Sequence, residues 1–223
     1  MRTAVLLCLV TGCAAAPPPL PPPTPVLPPS FSIVQTGAPV LRQRARELRS
    51  EEIGTPEFRA LVDKMVATMR AAPGVGLAAP QIGVGLRVIV LEDRPELEAK
   101  STPLELEERE RAPFPLRVIV NPELRTVGDA KALFFEGCLS VAGFAGMVDR
   151  ALEVEVTGRS ERDEPVTWQV RGWPARILQH EVDHLNGTLY IDRMLPRSFS
   201  TLDQAKARFG GKPIAEVRAL LGL

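Results

Sequence analysis

The two histidines of the chain fall within five residues, in Gln179-His180-Glu181-Val182-Asp183-His184-Leu185. On a helix, positions four apart share a face at about 5–6 Å. Two imidazoles so placed can grip one metal ion, and Glu181, one position round, can reach a water on it. A pattern with three fixed positions also arises by chance, so a solvated helix with two unpaired histidines is the competing reading. Ile177, one turn earlier on the same face, favours the wall of a pocket instead.

A catalytic ion usually takes three protein ligands and keeps one position open. No third histidine exists, so Cys138 in Phe135-Glu136-Gly137-Cys138-Leu139-Ser140 is the candidate. A buried structural thiol is the bland alternative. The flanking Glu136, Gly137 and Ser140 predict an irregular loop, from which a thiolate can turn toward an ion. One sulfur and two imidazole nitrogens suit Zn²⁺ or Fe²⁺. A third stretch, residues 72–85, is rich in glycine, but its spacing is not that of a phosphate loop and no Lys-Ser/Thr follows. Its glycines allow close approach of a substrate backbone. Gln81, a polar amide among apolar neighbours, reads as an aimed hydrogen-bond donor.

These stretches need elements to hold them. Thr55 and Pro56 start a helix, whose apolar positions Phe58, Leu61, Val62, Met65, Val66 and Met69 recur at helical spacing up to Pro73-Gly74. Arg87–Leu91 and Arg117–Asn121 read as strands, and the charged residues 92–115 between them as an exposed loop or insertion. Leu152, Val154 and Val156 alternate with glutamates, and Val166, Trp168 and Val170 alternate likewise, so a hairpin joins two half-buried strands. Pro174 opens the helix that carries His180 and His184, and Gly187 closes it. A helical stretch from about Leu202 to Leu221, broken at Gly210-Gly211, ends the chain. Mixed strands with a few helices predict an α+β fold over residues 31–223.

A chain of 223 residues supports one good core. Its 27 basic and 27 acidic residues cancel, which argues against a strong field for nucleic acid or an anionic membrane. Residues 1–13 differ from the rest. Arg2 precedes a short apolar run, Ala4 to Val10, far below the roughly 20 residues of a membrane span. The run fits a secretory signal, and Val10-Thr11-Gly12-Cys13 resembles a bacterial lipobox, in which the cysteine takes a lipid. A misplaced start, with translation from near Val26, is the alternative. Residues 14–30 are dominated by proline and read as an extended spacer. With Cys8 removed and Cys13 lipidated, Cys138 would stand alone, without a disulfide.

Taken together, the three stretches resemble the peptide deformylase family. That family carries Gly-x-Gly-Leu-Ala-Ala-x-Gln, Glu-Gly-Cys-x-Ser and Gln-His-Glu-x-Asp-His-Leu, in that order. This chain has Gly74–Gln81, Glu136–Ser140 and Gln179–Leu185. The resemblance covers roughly Ser32 to Ser200, leans toward the organellar-like branch, and implies mixed and antiparallel sheets around a central metal-binding helix. It implies one divalent ion, natively Fe²⁺ in much of the family, held by Cys138, His180 and His184. Glu181 would act as base and then as acid, with Gln81, the Leu139 backbone N–H and the ion meeting the oxyanion. Gly76 would pair with the peptide backbone, and Val75, Phe134, Trp173 and Ile177 would line a methionine pocket. The substrates implied are formyl-methionyl peptides or nascent chains, and the protein would be a monomer. A metallopeptidase acting outside the cytoplasm and a non-catalytic peptide-binding lipoprotein are the other readings. The location stays open between a lipid-anchored envelope protein, if Cys13 is processed, and a cytoplasmic one.

Overall fold

The computed structural model describes residues 32–223. The signal-like segment and the proline-rich spacer lie outside the described residues. The chain forms a five-stranded sheet and a three-stranded sheet with one helix between them.

Helix α1 (Pro56–Ala71) starts as predicted: Thr55 Oγ1 accepts the Phe58 N–H at 3.2 Å, and Pro56 occupies the first turn. Its stripe Phe58, Val62, Met65, Val66 and Met69 is buried, in one cluster with Val88, Val90, Val118 and Val120. Those valines belong to β2 (Val88–Asp93) and β3 (Phe114–Thr126), which run antiparallel beside β1 (Gly76–Ala78). Side chains alternate across a strand, so Ile89, Leu91 and Ile119 face the other way. There they meet α4 (Trp173–Leu185) at Ala175, Ile177, Leu178, Val182 and Leu185. Layers on both faces explain why β2 is buried at every position. The sheet continues through β6 (Glu153–Arg159) and β7 (Pro165–Arg171), the expected hairpin.

Against the opposite side of α4 lies the smaller sheet, β4 (Lys131–Cys138), β5 (Val141–Ala151) and β8 (Ser200–Thr201), in that order. Here the sequence reading needs correction. Glu136-Gly137-Cys138 is not an irregular loop but the end of β4, and only Leu139 and Ser140 form the turn into β5. The inward face of β4 includes Glu136, a buried carboxylate held by arginines, and this hides the apolar alternation that normally marks a strand. The charged residues 92–115 are also not a plain loop. They carry α2 (Pro95–Glu98) and α3 (Pro103–Glu108). Thr102 and Glu105 cap α3 reciprocally, a box legible as Thr-Pro-Leu-Glu. The segment is pinned by buried Leu97 and by a bidentate Arg111–Asp93 pair at 2.7 and 2.8 Å. Helices α5 (Leu202–Phe209) and α6 (Ile214–Leu221) end the chain, separated at Gly210-Gly211 as expected.

Leu178 is fully buried between α4 and the larger sheet, whereas Leu220 is 45% exposed. Leu178→Ala should cost about 2–5 kcal/mol in a urea unfolding curve. Leu220→Ala should stay within about 0.5 kcal/mol of the parent. Equal effects would contradict the placement of α4 as the shared layer.

Candidate metal centre and substrate cleft

Three separated residues meet where the end of β4 faces α4. The ligand atoms of Cys138, His180 and His184 all lie within 4.8 Å of one another, with Cys138 Sγ 3.3 Å from His184 Nε2. Cys138 reaches this point because the β4–β5 register shifts between Gly137 and Cys138. The histidines reach it because α4 is locked from the side: Gln179 Oε1 accepts the Ala151 N–H at 3.0 Å while its Nε2 donates to the Ala151 carbonyl at 2.8 Å.

A buried charge network fixes the rings. Glu136 accepts from Arg150 Nε and Nη2 at 2.9 Å each, from Arg176 Nη1 at 2.6 Å, and lies 3.0 Å from His180 Nδ1. That last contact leaves the other ring nitrogen of His180 for an ion, the arrangement expected around metal-bound imidazole. Arg150 also donates to Asp183, which accepts in turn from Arg193 at 2.7 Å. Burial alone would favour neutral Glu136, but the hydrogen bonds from Arg150 and His180 outweigh it and hold the carboxyl well below the usual range. Burial likewise opposes charge on His180, yet its hydrogen bonds to Cys138 and Glu136 win and raise it well above an ordinary imidazole. His184 goes the other way, driven well below by burial and then by the charge on His180.

Glu181 lies next to these ligands and is itself buried, with no hydrogen-bond partner for Oε2. Burial pushes its carboxyl up to about 7. Gly76 makes room for it: a Cβ there would sit 2.3 Å from Glu181 Oε1. The predicted backbone role for Gly76 therefore has a second reason beside it. Gln81 is buried, and its Nε2 points at Cys138 Sγ (3.5 Å) and Ser140 Oγ (3.4 Å) while its Oε1 accepts the Ala78 N–H at 2.8 Å. Three soft or borderline donors with an unpartnered buried carboxylate beside them fit a divalent ion with one open position.

The centre opens into a cleft of about 470 Å³, lined by Val75, Gly76, Gln81, Leu139, Trp173 and Ile177 among others. That volume suits a site enclosing a small ligand, about 300–1,000 Å³. One expected wall residue is misplaced. Phe134 does not line the cleft; it is buried behind it, with the guanidinium groups of Arg109 and Arg176 over its ring at 5.1 and 5.3 Å, and Phe135 borders the cleft instead. Arg109, which follows α3 in the segment read as a loop, lies over the Phe134 ring, a contact that strand alternation cannot foresee. Sequence reading also missed Leu97, Lys100, Ser101, Arg111 and Arg176 on the cleft wall, and Arg150 beneath it. The only advance signal for the network was a carboxylate two residues before the candidate thiolate. Glu136→Gln should weaken Zn²⁺ affinity about 10–100-fold, read by competition with a chromogenic chelator. Glu136→Ala, which leaves buried Arg176 without a carboxylate and Arg150 with Asp183 alone, should also destabilise the fold by about 3–5 kcal/mol.

Residues 30–199 match the family model described as polypeptide deformylase. The chain is 51% identical over 171 residues to peptide deformylase 1A, chloroplastic, of Solanum lycopersicum, covering 77% of this chain and 62% of that protein. It is 43% identical over 175 residues to the mitochondrial peptide deformylase of Homo sapiens, covering 78% and 72%. It is 44% identical over 190 residues to peptide deformylase 3 of Streptomyces avermitilis, covering 85% and 83%. The chain thus spans less than two thirds of the plant relative's length. A solved class I type b peptide deformylase from Acinetobacter baumannii, with Met-Ala-Ser bound, superimposes with a TM-score of 0.66 at 35% identity, covering 74% of this chain and 98% of that one. The shared domain, with Cys138, His180 and His184 gathered beside Glu181 and Gln81, belongs to the peptide deformylase family.

Proposed function

We propose that this chain hydrolyses the N-formyl amide of peptides or new polypeptides that begin with formyl-methionine, releasing formate and a free amine. The carrying observation is the orphan Oε2 of buried Glu181 beside the Cys138–His180–His184 cluster. Oε2 is the atom placed to accept a proton from water and return it to the leaving nitrogen. As the C–N bond breaks, a C–O bond to water forms, so atoms balance with no other reactant. Gln81 Nε2, aimed at the same point, donates to the formyl oxygen as it gains charge, and the Leu139 backbone N–H is the second donor. Cys138, His180 and His184 would hold one divalent ion, which when bound polarises the carbonyl and makes water more acidic.

Specificity follows from the walls. Val75, Trp173 and Ile177 offer an apolar pocket to the methionine side chain, whose burial is worth about 1.5–3 kcal/mol. Both strands flanking the cleft, β1 and β4, are sheet edges, so an extended peptide has main-chain partners to pair with. The Acinetobacter relative with Met-Ala-Ser bound supports this substrate class. The donor set accepts Fe²⁺ or Zn²⁺. Fe²⁺ is the native ion proposed for a cytoplasmic form and Zn²⁺ for an exported one, because a ferrous–thiolate site oxidises readily.

Glu181→Ala should keep one ion per chain and lower formate release from formyl-Met-Ala-Ser by about 10²–10⁴-fold; full activity would sink the mechanism. Stripping the ion with a chelator should abolish turnover, and Fe²⁺ or Zn²⁺ should restore it. Unformylated Met-Ala-Ser should remain intact, whereas its cleavage would favour a peptidase. For the N-terminal segment, the lipobox-like Val10–Cys13 and the spacer after it support a membrane tether through Cys13. Mass spectrometry of the native N-terminal peptide should then find diacylated Cys13; an unmodified start near Val26 would overturn the tether and leave a cytoplasmic enzyme.

A further inference from the structure

Outside the cleft, its edge continues into an exposed apolar face. Phe144 on β5 and Phe199 just before β8 stack at 5.1 Å between ring centres, with their planes 12° apart, yet they are 39% and 44% exposed. Strand pairing sets Leu202 beside them. Phe144 lies opposite Thr201, and a Cβ on Gly137 would sit 3.5 Å from the Phe144 carbonyl oxygen and 3.8 Å from Leu202 Cδ2. Leu202 is itself 49% exposed. The stacking hides part of each ring and leaves the rest, with Leu202, in water.

Three segments meet at this face. Thr36 donates its backbone N–H to the Ser140 carbonyl at 2.8 Å, Gln35 Nε2 donates to the Leu139 carbonyl at 3.0 Å, and Gln35 Oε1 accepts the Ala142 N–H at 3.2 Å. The start of the described chain is thus fastened to the β4–β5 turn, and β5 runs from there to Phe144 within about 10 Å. Leu195 donates its N–H to the Met147 carbonyl at 2.8 Å, which draws residues 194–202 alongside β5. Residues 32–41, 137–147 and 194–202 contain no aspartate or glutamate. Their one charge is Arg197, which is exposed and has no carboxylate partner among the described residues. Lys206, one turn on from Leu202 and so on the same side of α5, is likewise exposed and unpaired. Residues 193–212 hold five basic residues and one acid, Asp203, in a chain that is neutral as a whole.

We propose that the Phe144–Phe199–Leu202 face docks the domain on an anionic lipid bilayer. Apolar side chains enter the boundary between headgroups and acyl chains, and cations beside them meet anionic headgroups. A carboxylate on such a face would be repelled and would lose its water, and the three segments carry none. A second copy of this chain fits less well. A two-fold contact sets the same patch against itself and gathers the cations of both copies, with only Asp203 near them in sequence. The point of chain entry agrees with a bilayer, because a tether preceding Gln35 and Thr36 would leave the domain with this face toward the membrane. Leu202 also lines the cleft, so the docked domain holds the cleft edge at the lipid surface. The docking needs neither a lipid on Cys13 nor the hydrolysis proposed above.

The test uses the full, metal-loaded chain carrying Cys13→Ala, which cannot take a lipid. It is mixed with vesicles of phosphatidylcholine, alone or with about one third phosphatidylglycerol, and bound protein is read by co-sedimentation. Partition onto the anionic vesicles should exceed that onto neutral ones by about tenfold and should weaken in high salt. Phe144→Ser with Phe199→Ser should lower it by about tenfold or more, with the circular dichroism of the parent. Arg197→Gln should lower it by about fivefold, and carries the test should the double variant fail to fold. No sedimentation with either vesicle would overturn the docking face. So would binding that survives in these variants, since the apolar run Ala4–Val10 would then be what holds the vesicle. A dimer in place of vesicle binding, dispersed by the double variant, would assign the face to a second copy and overturn the proposal as well. Lipid on Cys13 and formate release are read separately, so the failure of either is distinguishable from failure here.

Discussion

The carboxylate of Glu136 is the point through which the two sheets and the central helix are joined. It lies on β4, takes Arg150 from β5, and takes Arg176 and His180 from α4. Removing an ion from water costs several kcal/mol, and a single partner in a low-dielectric site seldom offsets that. Here two guanidiniums and a ring N–H share one carboxylate, and Arg150 is shared again with Asp183. The gain is in direction rather than in net stability. His180 cannot rotate without breaking its bond to Glu136, and α4 cannot slide without breaking Arg176. The ligand cluster inherits its geometry from that constraint.

The rest of the architecture supplies what the network cannot. One face of α4 is apolar and packs on Ile89, Leu91 and Ile119; the other carries ligands, base and arginines. A helix so divided must sit between an apolar layer and a polar one, and the two sheets provide them. Gln179 sets its height by gripping both backbone groups of Ala151. Gly76 sets how close β1 approaches, since any side chain there would displace Glu181. Precision at the centre thus comes from three independent attachments.

The same division explains the character of the cleft. Its polar end is short and buried, while the walls leading away from it are mostly apolar, with Lys100, Ser101 and Arg111 among them, and reach Leu202. The α2–α3 segment and the C-terminal helices meet over the outer part through Glu108. The inner chemistry is built from residues within the family match, whereas the outer rim draws on chain beyond it.

Much of the site was legible beforehand because its signals are local. His180 and His184 are four apart on one helix, Glu181 is adjacent, and Cys138 and Gln81 sit in short distinctive stretches. The helix α1, the strands β2, β3, β6 and β7, and the break at Gly210-Gly211 followed from periodicity and capping, which depend only on neighbours in sequence. What sequence left hidden are the relations between distant segments. β4 was unreadable because its buried face carries Glu136, whose burial makes sense only with Arg150 and Arg176 beside it. Phe134 lies under Arg109, from a segment read as loop, and Phe135 borders the pocket instead. Local chemistry determined which residues could bind an ion and move a proton. Tertiary packing alone decided which carboxylate orients them and which surfaces a substrate meets, because those depend on long-range pairing of charges and walls.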